Sequence, residues 1–242
     1  MFINYRARGL VLGKKDFGES DQLFKIYTKN FGQLEILGKA IRKISSKLRP
    51  NIDIFYLADI EFIQAKSYKT LTDAVLLEKF GNIRKDLKRL KIANKISEIT
   101  YILIKREEAD ENIWELLVET FEKINNLQFI ISDLELIYYY FLFNILSFLG
   151  YQPELYNCLV CRKRIPEEKT YFSIKEGGLV CDSCNDKIKS AKKMSPGIIK
   201  ILRIILKRNL KILAKIKINS DYLKELKLFS KIYLAHILNI SN

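Results

Sequence analysis

The chain has 242 residues, 48% of them apolar and 29% charged, which suits a folded protein with one large core or two small ones and excludes intrinsic disorder. Lys and Arg outnumber Asp and Glu by 42 to 28, a net charge of +14 that points to a polyanionic partner held in a salt-dependent way. The longest uncharged run, residues 136–153, is marginal for a membrane span and broken by Asn144, Ser147, Gly150 and Gln152, so it reads as a buried helix. The first residues lack the pattern of a secretory signal, and the expected location is the cytoplasm.

Charge is distributed unevenly. Residues 1–80 hold 14 basic and 9 acidic side chains, residues 81–157 hold 9 and 12, and residues 158–242 hold 19 and 7. A genome-wide bias toward Lys would make the chain basic, but it would not make the middle third acidic. Nucleic acid is therefore the first candidate partner.

The first eighty residues alternate and break at turn residues, predicting strands over 8–12, 23–28, 33–37, 54–63 and 71–76. Five strands of this size suit a small OB-type barrel. Asp16, Glu19 and Asp21 form an acidic group, read as local ion pairs with Lys14 and Lys15 rather than as a metal site. Residues 32–40 resemble a phosphate-binding loop only loosely. Five residues separate the glycines and Ala40 follows Lys39 where Ser or Thr belongs, so a strand and turn is the better reading and ATP use is not indicated.

Between the third and fourth predicted strands lies a basic loop carrying Lys39, Arg42, Lys43, Lys47 and Arg49. In an OB-type barrel such loops flank the groove that follows a nucleic-acid backbone, and aromatic side chains offer faces to bases. Phe2, Tyr5, Phe17, Tyr27, Phe31, Phe55 and Tyr68 are candidates, most of them needed inside the barrel.

From Asn82 the period becomes helical, with Leu87, Leu90, Ile96, Ile99 and Leu103 on one face and Trp114, Leu117, Val118 and Phe121 on another. Asp110 and Asn112 offer caps for the second helix. A third helix is expected over 132–149, stopped by Gly150 and Pro153. Further on, Ser195 and Pro196 open a helix that places Lys200, Arg203 and Lys207 in one basic stripe, either a solvated face or a further DNA contact. The last helix begins near Ser220 and Asp221, with Leu223, Leu226, Phe229, Ile232, Tyr233 and Ile237 as expected core positions.

All four cysteines fall in two CxxC pairs, Cys158/Cys161 and Cys181/Cys184, with a Gly177-Gly178 turn between them. Two such pairs supply four thiolates in tetrahedral array, the donor set of one structural zinc ion. Disulfides are the competing reading, and a cytoplasmic location argues against them. Four thiolates leave no open position for catalytic water. The single histidine, His236, lies among apolar residues of the last helix, and the chain is not expected to be an enzyme.

The expected fold is α+β: an OB-fold barrel over 1–80, a helical bundle over 81–157 and 190–242, and an inserted four-cysteine zinc ribbon over 158–189. The run GLVLGKKDFGESD over 9–21, with Tyr27, Thr28 and Gly32, resembles the N-terminal signature of the RecO family of DNA repair and recombination mediators. GKAIRKISSKL over 38–48 is similar to that family's basic loop, FLGYQP over 148–153 precedes the first cysteine pair as it does there, and GGLVC over 177–181 matches the approach to the second. The resemblance spans nearly the whole chain. It implies binding of single- and double-stranded DNA, annealing of complementary strands without nucleotide hydrolysis, and cooperation with RecR and single-strand-binding protein so that RecA can load. It also implies a docking site for the tail of single-strand-binding protein on the helical domain, which no motif here locates. A zinc-ribbon accessory protein of transcription or translation is the other class these features fit, and it would prefer duplex promoter DNA or structured RNA to single strands.

Overall fold

In a computed structural model, the described residues are 3–64, 68–105, 107–126, 134–165, 170–213 and 218–240. The chain divides into two compact units, Met1–Gln128 and Phe129–Asn242.

The first unit opens with strands β1 (Asn4–Phe17), β2 (Asp21–Thr28), β3 (Gly32–Gly38), β4 (Leu57–Gln64) and β5 (Lys69–Glu78). They close into a barrel in the order β1-β2-β3-β5-β4, with every pairing antiparallel except β3 with β5. β1 is much longer than the expected 8–12 because it serves two neighbours, β4 through its first half and β2 through its second, with a register shift between Val11 and Gly13. β4 begins at Leu57 rather than 54. The Asp53 carboxylate caps the Ile54 N–H and Phe55 adopts φ 63, so the backbone is still turning at those residues. Alternate residues fill the barrel, among them Val11, Phe24, Ile26, Leu34, Ile36, Ile60 and Phe62.

Three helices complete this unit: α1 (Gly81–Lys85), α2 (Leu87–Leu103) and α3 (Glu111–Asn125). Asp86 caps α2 by accepting from Lys88 and Arg89, and Asp110 caps α3 by accepting from Ile113, whereas Asn112 lies inside the helix. Leu87, expected on the buried face, is exposed because it occupies the first position after that cap. The helices are fixed to the barrel by an aromatic cluster in which Phe121 of α3 meets Phe55 at 5.5 Å and Phe80 at 5.9 Å. Gly32, at φ +63, sits under the backbone of Glu108, where a Cβ would come within 2.4 Å of the carbonyl oxygen.

In the second unit, α4 (Glu135–Phe148) is buried on nearly every side, as its uncharged sequence predicts. The start expected near 132 lies outside the described residues. Asn144, inside this apolar helix, is satisfied by donating to the carbonyls of Tyr140 and Ile205 and so ties α4 to α5 (Pro196–Leu206). Ser195 caps α5 with Pro196 in its first turn, and Glu225 of α7 (Ser220–Ile240) accepts from both the hydroxyl and the N–H of Ser195. A short helix, α6 (Leu210–Leu213), lies between them. The buried line of α7 is Leu226, Ser230, Tyr233 and Ile237; Ile232, expected in the core, faces the other way and is 46% exposed. No helix among the described residues is long and apolar enough to cross a membrane.

The connection from β3 to β4 is held at both ends. Asp21 accepts from the Ala40 N–H at 2.7 Å, Ile41 and Ile52 are buried in the barrel core, and Asp53 pairs with Lys14 at 2.5 Å and Arg84 at 3.2 Å. Burial alone would raise the Asp53 pKa, but the hydrogen bonds from Lys14 and Ile54 and the charges of Lys14 and Arg84 outweigh it and hold the carboxyl below its ordinary 3.8. A depressed carboxyl contributes stability above its unfolded pKa and loses it as pH falls through the folded value. Asp53→Asn is therefore expected to cost roughly 1 kcal/mol at neutral pH. In urea unfolding at a series of pH values, that gap should close once the pH drops below the ordinary carboxylate range. A gap constant to strong acid would mean that the Asp53 charge does not anchor the loop.

Candidate metal centre and nucleic-acid interface

The four cysteines converge although the two pairs come from separate turns. Cys158 and Cys161 sit in a knuckle in which the Cys158 N–H donates to the Lys163 carbonyl and the Arg162 N–H returns to the Cys158 carbonyl, both at 2.9 Å. Arg162 closes that turn with φ 59. The second pair follows a hairpin of β6 (Thr170–Ser173) and β7 (Gly178–Cys181): Cys181 ends β7 and Cys184 lies in the 3₁₀ turn Asp182–Lys187. Gly177 turns the hairpin at φ +71, and a Cβ on Gly178 would press within 2.9 Å of Leu159 and Glu154. β8 (Lys192–Met194) pairs with the free edge of β6 and leads into α5.

The four Sγ atoms all lie within 4.8 Å of one another, with Cys161 and Cys181 at 3.8 Å, and none is joined in a disulfide. A tetrahedral centre with metal–sulfur bonds of ~2.3 Å has sulfur–sulfur edges of about 3.8 Å, so the cluster fits one thiophilic ion. Burial disfavours the Cys158 thiolate, yet hydrogen bonds from the N–H groups of Cys161, Cys181 and Val160 and from the Cys161 side chain lower its pKa below the ordinary value. Cys184 moves upward, through burial and through hydrogen bonds and charge from its sister thiols. Crowding anionic sulfurs in one place is unfavourable without a cation, and a bound metal ion reverses that repulsion.

The ribbon is also packed against the helices. Phe172 of β6 sits edge-on to Phe229 of α7 at 5.0 Å, and Tyr233 stacks on Phe229 while donating its hydroxyl to the Tyr151 carbonyl at 3.0 Å. Arg203 belongs to this framework. Its guanidinium donates twice to the Leu155 carbonyl, at 2.9 and 2.7 Å, and lies over the Tyr156 ring at 4.8 Å. In the stripe expected on α5, then, Arg203 is half-buried and positions the chain entering the first cysteine pair, while Lys200 and Lys207 are exposed. Nothing in the 3.6-residue spacing distinguished these two fates.

Lys39, Arg42, Lys43, Lys47 and Arg49 are all exposed on the loop between β3 and β4. Arg42 is also the partner of the acidic group beside it, pairing with Asp16 at 3.3 Å and donating to the Glu19 carbonyl at 3.2 Å. Asp16 therefore pairs with Arg42 of the distant basic loop rather than with the adjacent lysines expected, and Lys14 reaches Asp53. Among the described residues, the cysteine cluster is the one group of three or more His, Cys, Asp or Glu side chains that could hold a metal ion. Of the aromatic candidates, Tyr27 and Phe55 are core, Tyr5 and Phe31 pack on the core, Phe17 and Tyr68 are exposed, and Phe2 lies outside the described residues.

A closed five-stranded OB-type barrel with a cationic connection at its end, followed by helices and a four-thiol centre, defines a class of α+β proteins rather than one activity. Residues 1–80 match the family model described as Recombination protein O N terminal, and residues 84–240 match Recombination protein O C terminal. The chain belongs to the RecO family of DNA repair proteins. It is similar to proteins named DNA repair protein RecO from Dehalococcoides mccartyi, 27% identical over 97% of this chain and 91% of the relative. The counterpart from a Thermoanaerobacter species is 29% identical over 97% and 93%, and that from a Roseiflexus species 28% over 97% and 81%.

Replacing Cys181 with Ser removes one donor of four and should abolish stoichiometric metal binding. Because binding to such a module is folding free energy on the order of 10 kcal/mol, the ribbon should open with it. Metal analysis and limited proteolysis of wild type and variant would check this, with new cleavage expected between Cys158 and Lys187. Wild-type protein purified without chelators that carried no metal would overturn the assignment.

Proposed function

We propose that this chain binds single- and double-stranded DNA and anneals complementary strands without nucleotide hydrolysis, as a mediator of DNA repair and homologous recombination. With RecR, it would help RecA load on DNA coated by single-strand-binding protein. The observation that carries the reading is the group of five exposed cations on a single connection of an OB-type barrel, in a chain of net charge +14 that belongs to a DNA repair family. Cations held on a folded scaffold replace the condensed counterions of a phosphate backbone, and their release drives binding. A protein cationic in both its first and last thirds can neutralise two strands at once and lower the repulsion between them. Membership in the RecO family supports this set of partners. The protein would act at the nucleoid and catalyse no covalent step.

We read the metal as zinc. Cys158, Cys161, Cys181 and Cys184 form an all-sulfur donor set, which favours zinc over the oxygen-seeking divalent ions. Bound there, zinc would supply folding free energy, with no open coordination position for substrate.

Annealing of complementary oligonucleotides, followed by loss of fluorescence between labelled strands, should be accelerated by the protein without ATP and should weaken as salt rises. The quintuple variant of Lys39, Arg42, Lys43, Lys47 and Arg49 to Ala should bind single strands more weakly. Each lost phosphate contact should flatten the dependence of log affinity on log salt by roughly 0.7. Tight binding with no acceleration over spontaneous pairing, with or without single-strand-binding protein, would sink the mediator reading. A folded quintuple variant with unchanged affinity and salt slope would reduce the loop to a solvated surface.

A further inference from the structure

Most aromatic rings of the first unit are covered. Phe24, Tyr27, Phe55, Phe62 and Phe80 are buried, Tyr5 and Phe31 pack on the barrel core, and the Lys25 ammonium lies 3.4 Å from the centroid of Tyr101. Phe17 and Tyr68 differ. Each keeps 36% of its surface exposed, and their rings meet edge to face with centroids 5.3 Å apart and planes at 73°.

Their places in the chain are informative. Phe17 is the last residue of β1, entering the turn to β2, and Tyr68 immediately precedes β5 at the end of the connection from β4. In OB-type barrels these two connections flank the groove that takes an oligomeric ligand. The basic connection is fastened to the same β1–β2 turn: the Arg42 N–H donates to the Ser20 carbonyl at 2.9 Å, its guanidinium reaches Glu19 and Asp16, and Asp21 holds the Ala40 N–H. Phe17 thus adjoins the turn to which the connection carrying the exposed Lys39 and Lys43 is fastened.

An unpaired nucleotide strand presents both complementary features, an apolar base face and an anionic backbone. A duplex keeps its base faces within its own stack and offers this site phosphates alone. We propose that Phe17 and Tyr68 form a base-stacking platform that makes the barrel prefer unpaired strands, with Lys39 and Lys43 holding the adjoining phosphates. The proposal rests on the DNA-binding reading above and adds the residues that discriminate strand from duplex.

The test compares an oligonucleotide with one of the same length in which several central bases are replaced by abasic sites, together with a duplex, in fluorescence anisotropy at fixed salt. Wild type should bind the abasic strand about fivefold or more weakly, the lower bound for losing one stacked base. Phe17→Ala/Tyr68→Ala should bind the intact strand as weakly as wild type binds the abasic one and should not distinguish the two. Duplex affinity and salt slope should stay unchanged, since no phosphate contact is lost. Phe17→Leu/Tyr68→Leu keeps an apolar cover without flat faces, so it should fold as wild type does and still fail to discriminate. Equal and tight wild-type affinity for intact and abasic strands would overturn the platform and leave the DNA-binding reading standing. Absence of binding to any of the three would overturn both, and a Leu variant with wild-type discrimination would overturn the platform alone.

Discussion

The parallel pairing of β3 with β5 is the constraint from which the basic surface follows. β1, β2 and β3 are joined by tight antiparallel turns, and a sheet that stopped there would leave β3 as an open edge. Ile36 and Leu37 close it by pairing in parallel with Lys69 and Thr70, which requires β4 to lie on the far side of the barrel against β1. The chain must therefore leave β3 at Gly38 and cross to Leu57 before it can form another strand. That crossing is where the cations are. Ile41, Ile52 and the Asp53 ion pairs hold it down, so the charges ride on an anchored connection rather than a loose one.

Net charge is a poor guide to which cations are available. Lys14 and Arg84 neutralise Asp53, Arg8 pairs with Asp59, Lys69 with Glu107, and Arg203 holds a backbone carbonyl. Such side chains order the fold, and a polyanion would have to displace their partners before using them. Lys39, Lys43, Lys47 and Arg49 are exposed on one connection, and that concentration gives the +14 a direction.

In the second unit, the thiol cluster depends on packing from outside the ribbon. Two knuckles bring four sulfurs together, but a three-stranded sheet this small has little core of its own. Phe172 meets edge-on a group of stacked rings, Phe229, Tyr233 and Phe143, on the helices, so the ribbon borrows its apolar interior from α4 and α7. A metal ion bound by these thiols would therefore be linked to helix packing, since Cys158 and Cys184 are buried beside it.

Much of this was legible in the sequence because it depends on local rules. Period-two runs marked the five strands, Asp110 and Ser195 marked helix starts, and two CxxC pairs marked the four-thiol cluster, since spacing within a turn fixes where thiols can point. The motif order was enough to indicate the family. What depends on which surfaces meet was not legible. The spacing on α5 put Lys200, Arg203 and Lys207 together, but only the approach of Leu155 and Tyr156 separates Arg203 from its neighbours. Ile232 and Leu87 satisfy a helical pattern and are still exposed, because the pattern says nothing of where the opposing surface ends. Seven aromatics looked alike as stacking candidates, and the helices decided between them: Tyr27 is covered where its hydroxyl meets the Asp110 carbonyl and Phe55 where it meets Phe121, while Phe17 and Tyr68 stay exposed. Periodicity and spacing are properties of a segment and its nearest neighbours. Exposure and partnership are settled when distant segments compete for the same contact, and that competition exists only in the folded chain.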